Sequence, residues 1–176
     1  MIPPLAKLVD ALAFAAERHS PQRRKDEAAS PYINHPIAVM RVLALEAGIE
    51  DDDVLCAALL HDTIEDTATT ERELDQRFGT RVAAIVVALT DDKSLPKQER
   101  KERQVRHAAA LSREAALVKL ADKICNLRDM ARSPPRDWPL ERRREYFDWA
   151  RRVVDGLRGV HAGLEAGFDR AYAERP

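Results

Sequence analysis

Only one stretch of this chain, Val82 to Leu89, has the run of valine and isoleucine that suits a buried strand. No second strand-like run stands anywhere in the 176 residues to pair with it, so it reads as a buried helix and the fold class as all-α. The remaining segments agree with that class. Leu5, Leu8, Val9, Leu12 and Ala16 recur at helical spacing after Pro3 and Pro4, which marks an amphipathic helix ending near His19. Residues 20–34 mix proline with charge and form a loop. Pro36 then takes the favoured first position of a second helix, with His35 as its cap, and Gly48 stops it. A third helix begins at Asp51 to Asp53, runs through Val54 to Leu60 and delivers His61 and Asp62 at its end. Thr70-Glu71-Arg72-Glu73 is a capping-box pattern that opens a further helix, closed at Phe78-Gly79. Charged helices follow over 96–110 and 114–128, then a loop at Ser133-Pro134-Pro135. The last helix reads as one long element with the stripe Tyr146, Trp149, Ala150, Val153, Leu157, Val160 and Leu164, weakened by Gly156, Gly159 and Gly163.

At 45% hydrophobic residues and this length, one buried core is expected and residues 1–176 read as one domain, with no repeat. The 29 basic and 30 acidic side chains nearly cancel, leaving a formal charge of -1 and no global reason to bind polyanions. Nucleic acid is therefore not an expected partner, and any basic site must be local. Val82 to Leu89 is also the longest wholly apolar run, far short of the roughly 20 residues that span a bilayer, so no membrane association is expected. The opening Met1-Ile2-Pro3-Pro4 has no pattern of a secretory signal, and a cytoplasmic location is expected. Cys56 and Cys125 match no zinc or redox spacing and read as reduced structural thiols.

His61-Asp62-Thr63-Ile64-Glu65-Asp66 packs four metal-binding or proton-transferring side chains into six residues directly after an apolar run. Taken alone, a His-Asp pair usually reports a surface helix end. A second segment changes the weight: Leu120-Ala121-Asp122-Lys123-Ile124 sets a carboxylate inside an apolar helix, where an unpaired charge is costly and a metal would satisfy it. The competing reading for Asp122 is an ion pair with Lys119 or Lys123 on a solvated face. Imidazoles and carboxylates together suit manganese, iron or zinc and leave positions open for water and substrate. Lys97 to Arg106 reads instead as a self-neutralising exposed helix, through Glu99 with Arg103 and Glu102 with Arg106. His19, His107 and His161 lack metal-ligand company and read as ordinary surface or packing residues.

These segments, in order, resemble the hydrolase domain of RelA/SpoT proteins. The resemblance rests on Arg24-Lys25, Pro31-Tyr32-Ile33-Asn34-His35-Pro36, Ala58-Leu59-Leu60-His61-Asp62-Thr63-Ile64-Glu65-Asp66-Thr67 and Lys119-Leu120-Ala121-Asp122-Lys123. It extends through Phe78-Gly79, Thr90-Asp91-Asp92-Lys93 and Tyr146-Phe147, and is closest to the small stand-alone alarmone hydrolases that include the animal homologue of SpoT. It implies a single HD-superfamily helical domain, a manganese ion, and hydrolysis of the 3′-pyrophosphate of (p)ppGpp to GDP or GTP and pyrophosphate. Carried over by motif, His35, His61, Asp62 and Asp122 are the metal ligands, and Glu65 and Asp66 the acidic pair that activates water. Arg24 and Lys25 lie near the nucleotide, and Asn126 contacts its sugar and phosphates. Tyr146, with Arg142 one turn before it, is a candidate for the substrate cleft, although its place in the apolar stripe fits core packing as well. One departure stands out: where the family carries a glycine before Pro-Tyr, this chain has Ala28-Ala29-Ser30, so a positive φ there would strain Ala29.

Other functions fit the same residues. The metal site would equally serve (p)ppApp, or NADPH losing its 2′-phosphate, because base choice rests on a few loop contacts. A nucleotide-binding module without catalysis is the non-enzymatic alternative, disfavoured by the intact Glu65-Asp66 pair.

Overall fold

The computed structural model describes residues 3–26 and 28–176. Met1 and Ile2, part of the stretch read as lacking a secretory signal, lie outside the described residues. Among the described residues ten α-helices follow one another: α1 (Pro4–Arg18), α2 (Asn34–Arg41), α3 (Asp52–Leu60), α4 (Thr63–Asp66), α5 (Glu71–Phe78), α6 (Thr80–Leu89), α7 (Lys97–His107), α8 (Arg113–Arg132), α9 (Leu140–Asp155) and α10 (Ala162–Ala173). Among the described residues there is no strand, only an isolated bridge between Arg23 and Pro31. None of these helices is long and apolar enough to cross a membrane. The ambiguous valine-rich run is α6, with Val82, Ala83, Ile85, Val86 and Leu89 buried.

Two helices form the centre. α3 buries every residue from Val54 to Leu60, as a helix apolar on all sides must, and packs against α1, α2, α6 and α8. Its start is fixed by Asp51, whose carboxylate accepts from the Asp53 and Val54 amides at 3.1 and 3.3 Å. α8 runs for 20 residues and meets α2, α3, α6, α9 and α10. Each fully buried leucine or phenylalanine here, such as Leu59, Leu120 or Phe147, contributes about 1.5–3 kcal/mol of transfer free energy. Both cysteines are free and buried, and burial pushes each thiol up to about 12.

Several local expectations need correction. The C-terminal stripe is divided between α9 and α10: Gly159 at φ 90° turns the chain, and His161 caps α10 by accepting from the Leu164 amide at 3.2 Å. His35 is not a cap but lies in the first turn of α2, whose N-cap is Ile33. That helix does not run evenly to Gly48; it widens into a π-helical turn over Val42–Glu46. The capping box at Thr70 is half formed. Thr70 Oγ1 accepts from the Glu73 amide at 3.2 Å, while the Glu73 carboxylate turns to Arg18. On α7 the expected pairs one turn apart are replaced by Arg106 with Glu99 at 3.3 Å and by Arg152 of α9 with Glu102 at 2.8 Å. The helix keeps one pair within itself, Glu99 with Arg106, and is tied to α9 through Glu102.

Candidate functional site

α3 ends at Leu60, and the Thr63 hydroxyl closes that end by donating to the Leu60 carbonyl at 2.7 Å. His61 and Asp62 therefore stand at the end of α3, in a short break before α4. Across that break the Asp66 amide bonds to the Asp62 carbonyl at 2.9 Å. The break turns His61 and Asp62 toward His35 on α2 and Asp122 at the middle of α8. Donor atoms of His35, His61 and Asp62 lie within 4.8 Å of one another. Asp122 Oδ1 is 3.1 Å from His35 Nε2 and 3.9 Å from His61 Nε2, and His61 Nε2 is 3.0 Å from Asp62 Oδ2.

The cluster is fastened from outside. His61 Nδ1 donates to the Ala58 carbonyl at 2.8 Å, which leaves Nε2 buried and without a hydrogen-bond partner. The Tyr32 hydroxyl donates to Asp62 Oδ2 at 2.5 Å, and the Asn126 amide donates to Asp122 Oδ1 at 2.6 Å. The other Asp122 oxygen meets Lys123 Nζ at 3.2 Å. The ion pair weighed for Asp122 thus exists, yet both residues are buried rather than solvated. Burial opposes charge on all of these groups, but their partners outweigh it. Asp62 and Asp122 hold the His61 imidazole up at about 9, Lys123 and His35 hold Asp122 well below the usual carboxylate range, and His61 holds Asp62 below it. The two carboxylates favour positive charge at this point, a charge that a divalent cation would supply. The unpartnered Nε2 beside two carboxylates fits such an ion.

Glu65 and Asp66 face different neighbours. Glu65 Oε2 accepts from the Asp91 amide at 3.1 Å, and Oε1 lies 4.0 Å from Arg100. Burial raises the Glu65 carboxyl above its ordinary value, with the Asp91 amide pulling the other way. Asp66 is ion-paired with Lys93, and its carbonyl accepts from the Gln22 amide at 2.6 Å.

Beside the cluster opens a cavity of about 590 Å³, which His35, Asp66, Arg24, Lys25, Asn126 and Tyr146 help to line. Arg24 crosses it to Asp129 at 2.5 Å. Tyr146 does both things weighed for it, lining the cavity and packing edge-on against Trp138, with burial pushing its phenol up to about 12. Arg142 does not line this cavity; its guanidinium lies over the Trp138 ring at 4.1 Å. The loop carrying Arg24 and Lys25 is closed by Asp26, which accepts from the amide and hydroxyl of Ser30, and Ala29 sits at φ 48°. The departure in sequence thus falls on a left-handed residue. Sequence reasoning missed Tyr32, Lys97, Trp138 and Asp129 on the cavity wall. Tyr32 stood inside a quoted motif; the other three carried no local signal.

Residues 11–148 match the HD domain family, a class of metal-dependent hydrolases that implies a divalent ion at such a histidine and aspartate cluster. Among curated relatives, the zebrafish (Danio rerio) guanosine-3′,5′-bis(diphosphate) 3′-pyrophosphohydrolase MESH1 is 54% identical over 97% of this chain and 94% of its own length. The human (Homo sapiens) protein of the same name is 52% identical over 97% of this chain and 95% of its own. A solved structure of a metazoan orthologue of SpoT, described as hydrolysing ppGpp, superposes with a TM-score of 0.95 at 48% identity, covering 99% of this chain and 98% of that one. The chain belongs to the HD-domain family and, within it, to the group of small MESH1-type relatives of SpoT.

Proposed function

We propose that residues 1–176 act as one HD-type domain that hydrolyses the 3′-pyrophosphate of (p)ppGpp to GDP or GTP and pyrophosphate in the cytoplasm. The observation that carries this reading is the meeting of the two-histidine, two-aspartate cluster, an acidic pair one turn further on and a cationic cleft of about 590 Å³. The names borne by the relatives agree with it.

His35, His61, Asp62 and Asp122 are the side chains that would hold the ion, and their mixed nitrogen and oxygen donors suit manganese. When bound, such an ion lowers the pKa of a coordinated water and neutralises charge on phosphoryl oxygens. The chain's own residues do the rest. Glu65, with its carboxyl raised by burial, takes a proton from the attacking water more readily near neutral pH than an exposed carboxylate would. Asp66, across the cleft wall, orients that water. Arg24 and Lys25 hold the phosphates, Arg24 exchanging Asp129 for a phosphate oxygen, and Asn126 reaches the sugar while bracing Asp122. Tyr146 supports the nucleoside through the Trp138 wall that Arg142 backs. Water oxygen bonds to the phosphorus nearest the 3′ oxygen, the bond from that phosphorus to the 3′ oxygen breaks, and the proton that Glu65 took from the water passes to the departing 3′ oxygen.

Anion-exchange analysis of products from manganese-loaded protein tests this directly. The expected result with ppGpp is GDP and intact pyrophosphate; orthophosphate released in two steps would overturn the bond assignment. Parallel turnover of pppGpp, ppApp and NADPH tests the substrate. Rapid turnover of NADPH or ppApp with none of ppGpp would overturn the alarmone assignment.

A further inference from the structure

A second cavity, of about 130 Å³, lies behind Glu65 between α6, α7 and α8, away from the cluster. Its walls hold Arg100, Arg103 and Lys119 together with Gln104, Asp91 and Asp92. These three cations have few partners. Arg103 has no hydrogen bond or ion pair among the described residues, and Arg100 reaches only Glu65, at 4.0 Å. Lys119 Nζ meets only the Leu89 carbonyl, at 3.4 Å. Six buried side-chain polar atoms lack a partner among the described residues. Two, His35 Nδ1 and His61 Nε2, belong to the cluster, and two, Arg100 Nε and Gln104 Oε1, belong to residues of this cavity. Unmet buried polar atoms on a cavity wall ask for an occupant that both accepts and donates.

The mixture of charges narrows the occupant. Three cations would hold an oxyanion, but Gln104 Oε1 is an acceptor, and Asp91 and Asp92 add carboxylates whose oxygens already take bonds from Gln104 and Ser94. A fully deprotonated anion such as sulfate would meet those acceptors with nothing to donate. An oxyanion that keeps a proton satisfies both sides: its oxygens accept from Arg100, Arg103 and Lys119, and its hydroxyl donates to Gln104 Oε1. The geometry points to a second binding site for hydrogen phosphate, coupled to the acidic pair through Arg100. Arg100 stands between this cavity and Glu65 Oε1, so an occupant draws the guanidinium from Glu65 and favours protonation of that carboxylate. Inorganic phosphate then lowers kcat without raising KM, a coupling that rests on Glu65 being the base; the binding itself does not.

The test uses manganese-loaded protein, thermal unfolding and steady-state kinetics, with Arg103→Glu as the variant, since Arg103 touches neither cluster nor cleft. Inorganic phosphate is expected to raise Tm saturably, sulfate much less, and Arg103→Glu is expected to need about tenfold more phosphate or worse because it sets a like charge against the anion. Its turnover without phosphate should match wild type, and its kcat should resist phosphate. Equal stabilisation of wild type and variant would overturn the site, and equal stabilisation by sulfate would overturn the choice of hydrogen phosphate. Purely competitive inhibition would place phosphate in the cleft instead. Saturable, Arg103-dependent stabilisation with an unchanged kcat would overturn the coupling to Glu65, a result distinct from failure of the alarmone reading because it needs no particular substrate.

Discussion

The cluster around His61 takes its side chains from packed helices and their ends, whereas the cleft beside it takes most of its charge from loops and from α7, a helix with no buried residue. In the cluster three of the four groups are fixed by a further one, Ala58 for His61, Tyr32 for Asp62, and Asn126 and Lys123 for Asp122, while His35 is held by its burial in α2. In the cleft Arg24 answers Asp129, and the cleft residue Asp66 is answered by Lys93. Partly exposed pairs of that kind are worth at most about 1 kcal/mol, so a phosphate displaces them easily. One region is built in advance to hold an ion in one geometry; the other is built to exchange its own partners for a ligand's.

The sharpest way to break this contrast is at Asp122. Asp122→Ala leaves Lys123 buried with its amine over the Trp149 ring at 4.3 Å and no carboxylate beside it. Metal-free protein is expected to lose about 3–5 kcal/mol of stability in urea, because a buried charge loses its partner. Metal content should fall below one per chain, and turnover by about a thousandfold or more. Full occupancy and wild-type turnover in this variant would remove Asp122 from the cluster. Next in size come Glu65→Gln and Asp66→Asn, which preserve shape, keep the metal by elemental analysis and lose on the order of a hundredfold in kcat. Because the Glu65 carboxyl is raised by burial, its base form is lost as pH falls, at higher pH than for an exposed glutamate. The acid limb of the kcat profile should therefore vanish in Glu65→Gln; a limb that persists assigns the titration to another group. Smaller again are the cleft substitutions: Arg24→Ala and Lys25→Ala should each raise KM by about tenfold with little change in kcat, as expected of groups that grip ground and transition state alike. A drop in kcat at constant KM would move them from the cleft wall into the chemistry.

The same contrast decides what could be read without coordinates. Asp122 stood out because an acidic residue inside an apolar helix breaks a pattern, and His61-Asp62 stood out because four reactive side chains follow an apolar run. α3 was legible for the same reason, since burial on all sides leaves no polar face to mislead, whereas α6, exposed at Ala84, Val87 and Ala88, was assigned only by the lack of a partner strand. Lys97, Arg100 and Trp138 broke no pattern. They look like solvated surface in sequence and become a wall only when α7 docks on α9, a contact that no local periodicity encodes. The division of the C-terminal stripe was hidden likewise, because an apolar stripe continues in phase across the turn at Gly159 and only its backbone angle marks the break.

The smallest expected effect tests whether the cleft loop is as loosely held as this picture requires. Ala29 lies at φ 48°, a conformation costing an L-residue about 1 kcal/mol that glycine avoids. Ala29→Gly removes that strain in the folded chain but adds freedom to the unfolded one, which returns about 0.4–1 kcal/mol. The two nearly cancel, so urea unfolding should show a gain of no more than about 0.5 kcal/mol. The loop is closed by Asp26 through Ser30, and Arg24 is tied to it by its own amide, which bonds to the Ser30 carbonyl at 2.8 Å. Those bonds do not involve the Ala29 side chain, so the nucleotide KM should shift by less than about twofold. A KM that fell tenfold with glycine would mean that strain at Ala29 holds Arg24 and Lys25 out of place, and the loop would then belong with the rigid region rather than the yielding one.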